Sequence, residues 1–315
     1  MRPRPLHSPL NFRCTTARDF VATKYRSASA ALDTNSAPSK IYLMNKANSL
    51  DTSQTVRANI SDSTHMSPHR LQGDTAGRAK LRDGWTHDPE YRQCYQTESD
   101  IETILGLLAL ERGSTLADVG CGNGAFAIAA AQRHPDCQVW AFDALDSAVA
   151  VCRERGAQFP NFRAVAAWAA SLPLPTAGVD CVLFRSVLHH IAEPQVVYCE
   201  LARLLKPGGR LVLQSPCNGW EASFGQVFSD LMMLGDDSHR RFYHLPQDIV
   251  TGLRQAGFST EAPECWPFPF PFIDDSQAQF IRERGAEERL RLQPIEPGKW
   301  SIEGYWVRLV ARRIA

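Results

Sequence analysis

From about residue 85 onward the apolar positions alternate between helical and strand spacing. Ser99-Asp100-Ile101-Glu102 reads as a capping box, and Ile101, Ile104, Leu105 and Leu108 follow on one helical face until Gly113. Leu116 to Gly120 is short and β-like, and an Ala-rich helix over 124–133 follows a glycine-rich turn and stops before Pro135. Val139 to Phe142 predicts a second strand closed by Asp143, Asp146 to about Arg155 a helix, and Phe162 to Ala166 a third strand. Val179 to Phe184 is nearly all apolar, as a strand buried on both faces must be. Pro194 opens a helix with Val197, Leu201, Leu204 and Leu205 on one side, broken by Pro207-Gly208-Gly209. Arg210 to Gln214 predicts a fifth strand, Pro246 to Ala256 a helix, and Tyr305 to Ala311 a final strand. Such alternation implies an α/β fold with a parallel, doubly wound sheet.

Residues 1–80 break this pattern. They carry no sustained apolar stripe, and hold 12 Lys/Arg against 5 Asp/Glu, leaving 22 basic and 29 acidic residues for the remainder. The stretch buries too little to offset its ordering entropy and is expected to be a disordered leader. Its Arg- and Ser-rich, acid-poor composition suits an organelle transit segment. The rival is an over-long gene model starting properly at Met44 or Met66. Four of the twelve leader cations are Lys, against two (Lys206, Lys299) of twenty-two afterwards, which favours the rival. The rest of the chain, 85–315, is expected to form one folded domain.

Charge and composition narrow the function classes. The 315 residues balance 34 basic against 34 acidic, and the region after residue 80 is acidic on balance, which argues against a nucleic-acid partner. The longest apolar runs, Ala125 to Ala131 and Ala164 to Ala170, are too short for a membrane span. Nine cysteines without a C-x-x-C pair fit a reducing compartment better than a disulfide framework. The expected location is cytoplasmic, or mitochondrial or another organelle if the leader is a transit segment; the expected state is monomer or homodimer.

In a doubly wound sheet ligands bind beyond the carboxyl ends of the strands. There stands Asp118-Val-Gly120-Cys-Gly122-Asn-Gly124, whose alternate glycines let backbone and ligand approach closely. Asp143, nineteen residues past Gly124, ends the second strand where a carboxylate can hold both ribose hydroxyls. Gly120-x-Gly122-x-x-Ala125 also satisfies a dinucleotide fingerprint, so a nicotinamide oxidoreductase is weighed beside a sulfonium cofactor. Asp118 discriminates: a pyrophosphate gains nothing from a nearby carboxylate, whereas a cofactor with an ammonium and a sulfonium does.

These residues resemble the first motif of the class I S-adenosylmethionine-dependent methyltransferases, of the small-molecule, type 11-like kind. The resemblance continues through Asp143, Leu172-Pro-Leu-Pro175, Val179 to Leu183, Ser186-Val-Leu-His-His-Ile191 and Leu204 to Val212, covering roughly 95–260 in family order. It implies a Rossmann-like sheet, mostly parallel with an antiparallel final strand, and S-adenosylmethionine as cofactor. It assigns Gly120, Cys121 and Gly122 to the methionine part, Asp118 to its amino group, Asp143 to the ribose, Ala144 to the adenine and Arg185 to the methionyl end. One departure concerns Trp168, which stands where relatives often carry an adenine-binding Asp; the amide of Ala169 and the indole remain to meet the ring. That departure also motivates a methyltransferase-like binding or regulatory protein without turnover.

Methyl transfer asks the protein to align an acceptor behind the sulfonium and exclude water, with a base only for a protonated acceptor. His189 and His190 are the candidate catalytic residues, against a capping or packing role after the fourth strand; Ser215, Cys217 and Asn218 lie nearby. Insertions at about 216–244 and 264–303 are expected to form the acceptor pocket, drawing on Trp220, Arg241, Tyr243, His244 and Phe270. In Trp266-Pro-Phe-Pro-Phe-Pro-Phe272 aromatics recur every second residue and prolines remove amide donors, predicting an edge strand or polyproline stretch. Tyr95 is placed as a flap over the cofactor by analogy. His239 and His244 lack usual metal spacing, and no metal is expected. The expected acceptor is a small molecule, anionic or aromatic, such as a carboxylate or 2-oxo acid.

Overall fold

The computed structural model describes residues 94–219, 227, 230, 231 and 244–315. The leader and Trp220, Arg241 and Tyr243 lie outside them.

The described chain runs α1 (Glu98–Leu108), β1 (Thr115–Val119), α2 (Ala125–Arg133), β2 (Gln138–Asp143), α3 (Asp146–Gly156), β3 (Phe162–Ala166) and β4 (Val179–Arg185). A 3-10 turn (Leu188–His190), α4 (Pro194–Leu204) and β5 (Leu205–Cys217) follow. The remainder is α5 (Pro246–Gln255), β6 (Phe258–Thr260), β7 (Glu264–Asp274), α6 (Asp275–Glu283), β8 (Gln293–Glu296) and β9 (Lys299–Arg313). The strands form one sheet of order β3-β2-β1-β4-β5-β9-β6, with β7 and β8 also on β9. The first five are parallel and β9 is antiparallel to β5. Strand order reverses between β1 and β4, so the glycine turn after β1 and Arg185 at the end of β4 flank the switch point.

Each face of the sheet buries its own cluster. Val182, Phe184, Leu211 and Leu213 pack with Tyr198 and Leu201 of α4 and with Ile249 and Leu253 of α5. The other face carries Leu116, Val139, Leu183 and Val212 against Ile104 and Leu108 of α1 and the alanines of α2. Alanines bring α2 close to the strands, while full burial of each Leu or Ile contributes about 1.5–3 kcal/mol. A third cluster joins Tyr95, Phe268, Phe270, Ile302 and Trp306 to Ala278 and Ile281 of α6.

Several boundaries differ from the sequence reading. The capping box at α1 is built by Thr97 and Asp100, not Ser99 and Glu102: Asp100 N donates to Thr97 Oγ1 at 3.1 Å and Thr97 N to Asp100 Oδ2 at 3.0 Å. Asp is one carbon shorter than the usual Glu partner, and the box pattern therefore pointed two residues late. The helix ends at Leu108 on Ala109, whose φ of 46° is left-handed, rather than at Gly113. α4 ends at Leu204, before Pro207-Gly208-Gly209; Leu205, expected on the helix, opens β5, which contains that triplet and whose register with β4 shifts between Val179 and Cys181. The proline–aromatic segment is a strand: β7 pairs antiparallel with β9 from Glu264 to Asp274, and β9 begins at Lys299 rather than Tyr305.

A half-buried ion pair fixes the loop that leaves β3. Glu200 on α4, 6% exposed, accepts from the Leu172 amide at 2.7 Å and pairs with Arg203 through both guanidinium edges at 2.7 Å. Arg203 also donates to the carbonyls of Leu172 and Leu174 at 3.1 and 2.9 Å. The residues just before this anchor are Trp168 and Ala169. Glu200→Ala strands both the amide and the guanidinium, and is expected to lower stability by about 2 kcal/mol in urea unfolding at neutral pH; an unchanged midpoint would rule the clamp out as a stabilising element.

Candidate active site

The turn after β1 is shaped by three glycines with φ of 80°, 52° and 79° at Gly120, Gly122 and Gly124. They are small for different reasons. A Cβ on Gly120 would collide with Val187 behind β4, and one on Gly124 would stand 2.5 Å from Cys152 Sγ. A Cβ on Gly122 would meet nothing within 4 Å. Backbone there borders open space against which a ligand can lie. The Gly120 and Cys121 amides both donate to the Phe142 carbonyl, at 2.7 and 2.9 Å, clipping the turn to the end of β2.

Asp143 completes this clip. Its Oδ2 accepts from the Gly122 amide and its Oδ1 from the Leu145 amide, both at 2.9 Å. Its carbonyl accepts from Ala167 N at 2.8 Å, tying in the start of the Trp168 loop. Burial raises the acid, against the amides of Leu145, Gly122 and Ala144 that favour its charge. Asp118, on β1 and 3% exposed, is pushed up to about 7, by burial first and the nearby Asp143 charge second; Arg185 and the Ala127 amide act the other way. Two acids with different environments thus stand behind and beside one glycine turn.

Arg185 is buried at the end of β4. Its guanidinium lies 4.5 Å from the Phe126 ring centroid and 5.3 Å from that of Trp306, and donates to the Tyr95 carbonyl at 2.5 Å. Tyr95 itself is 6% exposed, with its hydroxyl on the Pro269 carbonyl at 3.0 Å and its ring edge-on to Phe268 and Trp306. The side chain placed by analogy as a flap is therefore packed against β7 and β9. Gln96, its neighbour, accepts from Asn123 Nδ2 at 3.0 Å, so the segment before α1 is fastened to the glycine turn. Phe270 is buried in the same aromatic cluster, edge-on to Phe272 at 5.3 Å.

The remaining predicted residues fall at neighbouring strand ends. His189, 8% exposed, and His190 share the 3-10 turn after β4 with ring centroids 4.0 Å apart. Trp168 forms an isolated bridge with Ser171; Ala169 is buried, and Ala144 exposed, after β2. His244 precedes α5, and its carbonyl accepts from Asn218 N at 3.1 Å. Cys217 Sγ lies 3.8 Å from Cys265 Sγ, and Cys121 Sγ 3.8 Å from Cys152 Sγ; the described cysteines are free thiols. Among the described residues no three His, Cys, Asp or Glu side chains gather as a metal set, and no helix is long and apolar enough to cross a membrane. Sequence reasoning passed over Gln96, Asn123, Ser186 and Trp306. For Gln96 and Trp306 no local signal existed, because their contacts are set by the fold; Ser186 was findable as the first residue beyond β4.

Residues 117–213, from β1 into β5, match a family model described as a methyltransferase domain. The match supports a class I S-adenosylmethionine-dependent methyltransferase domain over this stretch. Over 142 residues the chain is 33% identical to a malonyl-[acyl-carrier protein] O-methyltransferase of Alcanivorax borkumensis, a match covering 45% of the chain and 47% of that protein. The chain thus spans about half the length of that relative. Among solved structures, a Bacillus halodurans protein named as a methyltransferase aligns with a TM-score of 0.61 at 24% identity, over 69% of this chain and 100% of that one. Geranyl diphosphate C-methyltransferase of Streptomyces coelicolor aligns at 0.52 and 16%, over 73% and 84%. Both are likenesses of fold.

Proposed function

We propose that the methyltransferase transfers a methyl group from S-adenosylmethionine to a small-molecule acceptor, aromatic or anionic, with carboxylates and 2-oxo acids in that class. The observation that carries this reading is the left-handed Gly122, open on the side where a Cβ would project and joined through its amide to the Asp143 carboxylate. When bound, S-adenosylmethionine supplies a methyl group already activated on a sulfonium sulfur.

The chain's own residues bind and orient. Gly120, Cys121 and Gly122 border the methionine part, Asp118 lies behind it as a buried acid suited to a cation, and Arg185 serves the methionyl end. Each Asp143 oxygen uses one acceptor site on a backbone amide, which leaves further lone pairs for ribose hydroxyls. Ala144, Trp168 and the Ala169 amide serve the adenine, the Trp168 loop being held by Glu200 and Arg203. His189 and His190 orient the acceptor, and the insertions at 216–244 and 264–303 furnish its walls through Tyr95, Trp220, Arg241, Tyr243, His244 and Phe270. The Alcanivorax relative, named for malonyl-[acyl-carrier protein], supports an acid-bearing acceptor. A free metabolite is favoured over nucleic acid by the acidic balance after residue 80, and monomer or homodimer is the proposed state.

Titration calorimetry with S-adenosylmethionine, S-adenosylhomocysteine and NAD, paired with labelled-methyl transfer into a metabolite extract, tests the proposal. Binding of both sulfur compounds and label in a small product are expected. Binding of NAD alone would replace the reading with a dehydrogenase.

A further inference from the structure

Buried polar side-chain atoms are hydrogen-bonded in the great majority of cases, so those left over mark places where a polar group belongs. Three such atoms gather at the carboxyl ends of β4 and β5. Ser186 Oγ, Ser215 Oγ and His244 Nε2 are shut off from solvent and have no hydrogen-bond partner among the described residues. Ser215 is 0% exposed. The fold sets them at one end of the sheet: Arg185 is in register with Gln214, and Ser186 N donates to the Gln214 carbonyl at 2.8 Å, which sets Ser186 beside Ser215 on the next strand. Asn218, three residues on and about 10 Å along the strand, is bonded to the His244 backbone. Ser186 also holds a left-handed φ of 56°, a conformation that is costly for a serine and is kept where surroundings impose it.

The chemistry of this group is neutral. Within 185–190, 214–218 and 244–248 the sequence offers one permanent cation, Arg185, and its guanidinium is engaged by Tyr95, Phe126 and Trp306. Among the described residues of this group a carboxylate would find two hydroxyls and an imidazole but no free counter-charge, and being already ionised it would have no use for a base. A hydroxyl finds both donors and an acceptor. Resting on the methyltransferase reading above, we propose that Ser186, Ser215 and His244 form the acceptor's polar subsite, that it takes a phenolic or enolic hydroxyl, and that His244 is its general base.

In that step the hydroxyl proton passes to His244 Nε2, which requires the imidazole's own proton on Nδ1. The oxygen lone pair forms the new bond to the methyl carbon, and the carbon–sulfur pair stays on sulfur as a thioether. The imidazolium then returns its proton to water. Burial lowers the His244 pKa, opposed by Asp248 on its own helix, so the imidazole is the free base at neutral pH. The titratable groups on the neighbouring strand ends are Cys217, whose thiol is pushed far up by its hydrogen bond with Cys265, and His189 and His190.

The test uses the full chain and His244→Gln. Labelled product from a metabolite extract is expected to resist mild base but release methyl iodide in hot hydriodic acid, as an ether does. His244→Gln should lower transfer at least tenfold and remove the acid limb of the pH profile, with S-adenosylmethionine affinity by calorimetry within twofold of the parent. In ring-labelled protein with S-adenosylhomocysteine, the resonance missing from His244→Gln should shift on adding phenol and not on adding benzoate. Base-labile methyl esters, a variant with the parent's rate and pH profile, or a resonance indifferent to phenol would each overturn the subsite. Absence of any labelled product would instead overturn the methyltransferase reading on which it rests.

Discussion

Asp143→Ala lowers affinity for S-adenosylmethionine by about 100-fold. The expectation follows from what the carboxylate holds. Its two oxygens fix the Gly122 and Leu145 amides at 2.9 Å each, and their remaining lone pairs serve the ribose in the proposed mode of binding. A hydrogen bond to a charged group is worth about 1.5–3 kcal/mol, and each 1.4 kcal/mol is a factor of ten in affinity. Loss of one strong ribose contact together with a loosened Gly122 gives the two orders of magnitude. Asp143→Asn keeps one acceptor oxygen and should lose about tenfold, because the amide cannot serve both backbone donors and the sugar. Calorimetry at pH 8 reads both numbers, with circular dichroism confirming that the sheet is intact. An affinity for the Ala variant within threefold of the parent would mean that the cofactor is not held at the end of β2.

The parallel half of the sheet was legible in the sequence because its central strands are buried on both faces and each strand is a short apolar run between helical segments. Val179 to Phe184 could only be a central strand, and Phe162–Ala166 was placed to the residue. The same holds for the glycine turn, where left-handed backbone leaves a compositional trace. The region after β5 was harder, since a long strand such as β9 changes partners along its length: β5 on one side, β6 and β7 on the other, β8 at its start. Its residues alternate between two different clusters, so no single face dominates the pattern. Tyr95 illustrates the limit for side chains. Its position near the crevice was inferable, but its packing against Phe268 and Trp306 depends on residues more than 170 positions away. The orphaned oxygens of Ser186 and Ser215 are likewise a property of three dimensions, because any serine looks alike in sequence until its neighbours are known.

Asp118→Asn should make the unliganded protein more stable at pH 8, by about 4 kcal/mol, while weakening its hold on S-adenosylmethionine. In the fold this acid titrates at about 7 against an ordinary 3.8. A group whose pKa is raised on folding binds protons more tightly in the native state, so its contribution to stability is complete below pH 3.8 and is lost as pH rises toward 7. Three pH units of linkage at about 1.4 kcal/mol each give the 4 kcal/mol. Asn mimics the protonated acid beside the same Arg185, and therefore lacks this loss. The difference between the two proteins should be under about 1 kcal/mol at pH 4 and reach its full value by pH 8, a melting-point gain of roughly ten degrees at the higher pH for a domain of this size. Thermal melts of both proteins across that range measure it directly. A native site that destabilises its own empty form in this way gains when a cation arrives, since the ionised carboxylate that burial disfavours is the form that attracts it. Parallel melting curves at pH 4 and pH 8 would show that Asp118 is ionised without penalty and that the acid behind the glycine turn is not tuned toward a positively charged ligand.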